Sequence, residues 1–236
     1  MRKLLIGDVH GSYTQLIDAL DKAEVDLSKD KLIFIGDLFD KNNETVKIIE
    51  FIADLVLVYN NPPLLIYGNH DLWILEYFNN NTINDLWLKN GGEFTLKDIK
   101  NYKKVRNNKL DTFISILNSG YYYYVDEDEN LFVHGGMTHN TVGNEWRDDI
   151  YCWDRSMWKK AVVYNALWEY NRKPPEFMQN YNYIFIGHSP VIYHGKSTPM
   201  ICGNVVNVDT GAGCYGVLTV MDVKSFNYWQ SDILRT

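Results

Sequence analysis

Three short runs near the start of the chain, Lys3–Ile6, residues 32–35 and Leu64–Tyr67, are apolar almost without interruption. None alternates polar with apolar residues, so a strand made from any of them is covered on both faces. Between them the apolar residues change period. Leu16, Ile17, Leu20 and Ala23 share one helical face, as do Val46, Ile49, Ile52, Ala53 and Val56. The first 70 residues therefore read β-α-β-α-β, the pattern of a parallel sheet. Ser12 with Gln15 three residues on spells a capping box for the first helix. Asn42 or Asn43 is expected to cap the second, and Pro62-Pro63 lies beyond its end.

Each of these runs ends in similar polar residues: Gly7-Asp8-Val9-His10, then Gly36-Asp37-Leu38-Phe39-Asp40, then Gly68-Asn69-His70-Asp71. Two later apolar runs also end in histidine, at His134-Gly135-Gly136 and at Gly187-His188. In open α/β sheets ligands sit beyond the carboxyl ends of strands. Asp8, His10, Asp37, Asp40, Asn69, His70, His134 and His188 are thus expected at one rim. Residues 72–120 read as a mostly helical cap inserted between two halves of a single 1–236 domain. The second half is strand-rich, at 121–125, 131–136, 183–190, 205–211 and 215–221, with a helical pattern around 158–180.

The 236 residues, 46% hydrophobic, suffice for a large core, and a net charge of −7 lacks the basic footprint of nucleic-acid binding or a polybasic membrane anchor. Cys152, Cys202 and Cys214 form no CxxC pair, which points away from a disulfide framework and towards a reducing, cytoplasmic setting. The apolar part of the N-terminus is too short for a signal peptide, and no run reaches the length of a membrane span.

Carboxylate, imidazole and amide oxygen are the donors expected around borderline divalent metals. Two such ions held close together need a shared anion, and Asp37 is placed to be one. In their order and strand context the five motifs resemble the calcineurin-like metallophosphatases, in particular the phosphoprotein phosphatase group in its compact bacterial and bacteriophage form. The resemblance runs from residue 3 to about residue 220.

It implies a four-layer α/β/β/α fold of two mixed sheets with helices outside. It also implies two metal ions: Asp8, His10 and Asp37 would hold the first, and Asp37, Asn69, His134 and His188 the second. A hydroxide between them would attack phosphorus, and His70, oriented by Asp40, would protonate the leaving oxygen. Arg155, in Trp153-Asp154-Arg155, matches an element of the compact group that would clamp phosphate. Manganese is the expected metal, with iron or zinc as alternatives. The segment Trp87–Thr95 resembles part of the group's cap and is given no chemistry.

The second motif departs from the family's usual Asp-Arg-Gly, reading Asp40-Lys41-Asn42. Lys41 keeps the positive charge for phosphate but not the bidentate fork. Asp71 stands where eukaryotic members have Glu. The bland readings are kept for His139 and His194 as surface histidines, for Tyr121–Tyr124 as an ordinary strand, and for 207–213 as a structural turn. The expected activity is hydrolysis of a phosphorylated protein at Ser or Thr, with possible dual specificity. The alternative is dinucleoside polyphosphate hydrolysis, and the contrasting class is a scaffold module without turnover.

Overall fold

A computed structural model describes residues 1–102, 108–167, 173–214 and 216–232. The chain runs β1 (Lys3–Ile6), α1 (Tyr13–Lys22), β2 (Lys31–Phe34), α2 (Thr45–Leu57), β3 (Leu64–Leu65) and α3 (Asn69–Asn80). It continues through α4 (Asp85–Trp87), a kinked turn (Leu88–Gly92), α5 (Glu93–Tyr102), α6 (Asn108–Asn118), β4 (Tyr123–Val125) and β5 (Leu131–Val133). The remaining elements are α7 (Ile150–Trp153), α8 (Ser156–Ala166), β6 (Ile184–Ile186), β7 (Met200–Cys202), β8 (Val205–Asn207), β9 (Thr219–Asp222) and β10 (Tyr228–Gln230), with 3-10 turns at Glu176–Gln179 and Val191–His194.

The strands form two five-stranded sheets, ordered β10-β9-β1-β2-β3 and β4-β5-β6-β8-β7. Both are mixed: β1, β2 and β3 are mutually parallel, as are β5, β6 and β8, while β9 and β4 pair antiparallel. The period of two along each strand builds the layers. Leu5, Ile33 and Ile35 of the first sheet meet Phe132, Phe185 and Val206 of the second in an inner core. Leu4, Ile6, Leu32 and Phe34 face outward onto helices that include α1 and α2. Leu131, Val133, Ile184 and Ile186 face Met157, Trp158 and Ala161 of α8 on the other side. Helix, sheet, sheet and helix thus stack in four layers, as expected, because both faces of each central strand must be covered.

The described part of 72–120 is mostly helical, and Leu96, Ile99, Phe113 and Leu117 join the same cluster as α2. Residues 103–107, and 168–172 within the helical pattern expected around 158–180, lie outside the described residues. Strands β7 and β10, to which the sequence reading assigns no strand, lie at sheet edges. Short edge strands carry little of the apolar run that marks a buried one.

Two expected caps differ. Ser12 sits at the N-cap of α1 but makes no side-chain cap bond, and Gln15 instead donates to the carbonyls of Gly216 and Asp232. Helix α2 begins after Glu44, whose carboxylate takes the Thr14 N–H, while Asn42 donates to the carbonyl of His10. Tertiary partners have taken the side chains that local rules assign to caps. Among the described residues no helix is long and apolar enough to cross a membrane.

Candidate metal centre and active site

Five parallel strand ends open on one rim, and backbone bonds lace their loops together. The N–H groups of Val9 and His10 both donate to the carbonyl of Asp37, at 3.0 and 2.9 Å. The Asp71 carboxylate, in the first turn of α3, accepts the N–H of Asp37 (2.7 Å), Leu38 (2.9 Å) and Gly68 (2.9 Å). The second sheet is tied to the first by His188 N–H on Asp8 Oδ2 at 3.0 Å and by His134 Nδ1 on the carbonyl of Ile35 at 2.9 Å. Gly187 is required here, since any Cβ on it would collide with Asp8 Oδ1.

His10, Asp37, Asp40, Lys41 and His188 all take left-handed backbone conformations, with φ between 48° and 75°. Such strain concentrates at functional sites, where surrounding structure over-determines it.

Two groups of donor atoms result, His10 with Asp37 and His70, and Asp37 with His134 and His188, each within 4.8 Å. Asp37 belongs to both, the position expected of a bridge. His70 joins the first group by proximity, although its Nδ1 lies 2.5 Å from Asp40 Oδ2. Two ring orientations can be assigned. His10 Nδ1 faces the carbonyl of Phe39 at 3.1 Å, and the Lys41 ammonium, a donor only, lies 2.8 Å from its Nε2. His134 likewise gives Nδ1 to a carbonyl and turns Nε2 towards Asp37 Oδ1 at 3.3 Å. A metal-ligating histidine holds this posture, its far nitrogen anchored and the near one offered.

The buried charges are unevenly balanced. Burial and neighbouring Asp209 push the Asp8 carboxyl well above its usual range. Burial also opposes charge on Asp37, but His134 and His70 outweigh it and hold Asp37 well below the usual carboxylate range. Burial works against a charged His134, yet Asp37 raises it to about 9. Burial and then His134 depress His188 to about 3, while burial and Lys41 lower His10. Burial and then Asp37 lift Asp71 to about 7, against the pull of its backbone N–H donors.

Asp8 Oδ1, Asn69 Oδ1 and His134 Nε2 are buried without a hydrogen-bond partner. Unpaired buried polar atoms are costly. A carboxyl oxygen, an amide oxygen and an imidazole nitrogen left in that state around Asp37 fit a divalent cation.

The remaining expected residues lie further from the donor atoms or beside them without joining them. Arg155 is exposed at the residue before α8, and its charge is felt at His188. Lys41 lies on His10. His139 is an exposed partner of Glu145, and His194 accepts from Trp158 Nε1 at 3.3 Å. Asp209, in the 207–213 turn, accepts the Gly211 N–H and is pushed up to about 6 by burial.

Sequence reasoning passed over a run of rings. His70 packs edge-on to Trp73 (4.9 Å between centroids), Trp73 to Trp153 (5.5 Å) and Trp153 to His188 (6.1 Å), with Trp153 41% exposed. Trp73 lies three positions after His70, the one signal that these side chains share a helix face.

The profile of the calcineurin-like phosphoesterases matches residues 1–201. The chain belongs to that family. It is therefore a hydrolase of the metallophosphoesterase type, for which divalent metal ions are the cofactor. Among curated relatives, the asymmetrical bis(5'-nucleosyl)-tetraphosphatase PrpE of Oceanobacillus iheyensis is 24% identical over 228 residues, covering 88% of this chain and 82% of that protein. A symmetrical bis(5'-nucleosyl)-tetraphosphatase of Coxiella burnetii is 37% identical over 71 residues, which are 30% of this chain and 23% of that one.

Two solved structures share the fold of this metallophosphoesterase. One is a provisionally assigned diadenosine tetraphosphatase, with TM-score 0.65 and 13% identity, covering 100% of this chain and 95% of that one. The other is a protein serine/threonine phosphatase of Saccharomyces cerevisiae, with TM-score 0.64 and 13% identity, covering 100% and 81%.

Proposed function

We propose that this metallophosphoesterase cleaves dinucleoside polyphosphates. The ranking drawn from sequence, protein phosphatase first, is reversed by the tetraphosphatase relative that spans most of the chain. One structural observation supports the reading. Exposed Trp153 stands beside His188 with Arg155 two residues away, so an aromatic face and a cation flank the donor groups. A base stacked on an indole with its phosphates on a guanidinium is a common way to hold a nucleotide.

In this reading Asp8, His10 and Asp37 hold one divalent ion, and Asp37, Asn69, His134 and His188 the other. Bound there, the ions would supply Lewis acidity towards the phosphate and the attacking water. The remaining work falls to the chain. Arg155 binds phosphate oxygens, and Lys41, within reach through its contact with His10, adds a second positive charge. His70 delivers a proton from Nε2 to the leaving oxygen, while Asp40 at Nδ1 fixes the ring. Buried loops laced by backbone bonds keep these groups in register.

Manganese suits the oxygen and imidazole donors. Free Cys152, Cys202 and Cys214 accord with a cytoplasmic setting. The described helices of 72–120 accord with a cap insertion within a single 1–236 domain.

The test is a side-by-side assay of manganese-loaded protein on diadenosine tetraphosphate, a phosphoserine peptide and an aryl phosphate, each with and without chelator. Chelator-sensitive cleavage of the dinucleotide, well above peptide dephosphorylation, is the expected result. Preference for the peptide would return the protein phosphatase reading. A bound metal pair without turnover on any of the three would point to a scaffold module.

A further inference from the structure

Asp40 is 0% exposed, yet every face of its carboxylate is engaged. His70 Nδ1 lies 2.5 Å from Oδ2. Trp87 Nε1 donates to both oxygens, at 3.0 and 2.9 Å, and Thr95 Oγ1 donates to Oδ1 at 2.7 Å. The Thr95 hydroxyl also accepts the N–H of Asp40 at 3.0 Å and lies 3.3 Å from Thr45 Oγ1. Trp87 and Thr95 are themselves fully buried.

An indole N–H can only donate, so the Asp40 oxygens accept. With Trp87 and Thr95 both donating to it, the carboxylate is held in one orientation. It then takes the Nδ1–H of His70, which leaves Nε2 turned away from it. The two donors thereby set both the tautomer and the tilt of the ring.

The local chain is shaped for this contact. Trp87 ends α4, the chain kinks within Leu88–Gly92, where Gly91 is left-handed, and Thr95 falls in the first turn of α5. A Cβ on Gly92 would sit 2.5 Å from Cδ1 and Nε1 of Trp87, so only glycine lets the indole reach Asp40. Gly91, at φ 99°, accepts the N–H of Lys41 at 3.4 Å. The segment Trp87–Thr95 therefore grips the side chain of Asp40 and the left-handed backbone beside it.

We propose that Trp87 and Thr95 are positioning residues that hold the Asp40 carboxylate so that His70 presents Nε2 to the leaving oxygen. The proposal rests on the acid role given to His70 above.

The experiment uses the full chain with Trp87→Phe, Thr95→Val, Thr95→Ser, Asp40→Asn and His70→Asn, and two readouts. The first is the downfield proton resonance of the His70 Nδ1–H, assigned by its loss in His70→Asn. The second is kcat across phosphate esters of rising leaving-group pKa, with bound metal measured alongside. Thr95→Val and Trp87→Phe are expected to shift or broaden the resonance. They should lower kcat about 10- to 100-fold on an alkyl ester and by less than about threefold on a nitrophenyl ester. KM and metal content should hold, and Thr95→Ser should restore both readouts.

An unchanged resonance in Thr95→Val and Trp87→Phe would overturn the proposal. So would an equal loss across all leaving groups that Thr95→Ser does not rescue, because that pattern marks packing alone. If His70→Asn and Asp40→Asn show no leaving-group dependence, the acid reading itself fails, and the resonance still decides whether Trp87 and Thr95 orient the ring.

Discussion

Asp71 holds Asp37 by its backbone: one carboxylate oxygen takes the Asp37 N–H at 2.7 Å and the Gly68 N–H at 2.9 Å, while the other takes the Leu38 N–H at 2.9 Å. The bond fixes a left-handed residue, Asp37 at φ 54°, where both donor groups meet. Asp71→Asn keeps the shape but puts an NH2 against an N–H donor. The expected cost is about 1–3 kcal/mol in denaturant unfolding, from a buried donor left unpaired. Metal affinity, read by calorimetric titration, should weaken roughly 10- to 100-fold.

Metal binding should appear as stability before any assay of turnover. A ligand present at about 100 times its Kd stabilises by roughly 2.7 kcal/mol. Added manganese is expected to raise Tm and chelator to reverse the rise. In Asp37→Asn, which removes the shared anion, the rise should vanish. A full rise in that variant would disprove the bridging role.

Lys3 of β1 and Asp126, just after β4, join the two sheets, Nζ to Oδ2 at 2.9 Å. Burial raises the Asp126 carboxyl, but Lys3 and Asn130 outweigh burial and depress it overall. A depressed folded-state pKa contributes stability above the unfolded value, about 3.9 for Asp, and loses it as pH falls through the folded value. Asp126→Asn should therefore be less stable than the parent by about 1–3 kcal/mol at pH 7. Urea unfolding between pH 7 and pH 3 should show that gap closing on the acid side. A gap independent of pH would assign the loss to packing.

Trp153 offers an indole face at the rim. Trp153→Ala is expected to raise KM for diadenosine tetraphosphate by an amount equivalent to about 1–3 kcal/mol, the usual worth of a stacked base. KM for an aryl phosphate should change far less, and equal effects on both substrates would remove the stacking role.

Arg155→Ala should raise KM about tenfold or more at nearly constant kcat, since a charged hydrogen bond to phosphate contributes about 1.5–3 kcal/mol to ground and transition states alike. Lys41→Met separates the two cations. If Lys41 contacts substrate, KM rises there too, whereas a change confined to metal affinity would assign Lys41 to His10 alone.

Much of the fold was legible because burial writes itself into strands. Leu4-Leu5-Ile6 and Leu32–Ile35 are apolar at every position since both faces are covered, and that pattern survives in a single sequence. The edge strands Met200–Cys202 and Tyr228–Gln230 are only three residues long, too short for such a run to stand out. Gln15 and Asn42 misled for a related reason: each matches a local capping rule, but a tertiary acceptor held its side chain instead.

The placement of the candidate donors was legible from strand ends alone. Asp8, His10, Asp37, Asn69, His134 and His188 come directly after parallel strands, and parallel strands carry their trailing loops to one edge of the sheet. How these side chains are braced follows from long-range contacts instead. Asp71 reaches Asp37 across 34 positions, and Thr95 reaches Asp40 across 55. A hydrogen bond over that separation depends on how loops fold back over the sheet, and no periodicity or spacing encodes it. The same holds for the indole of Trp87, placed on Asp40 by the kink at Asn90-Gly91 and by the missing side chain of Gly92.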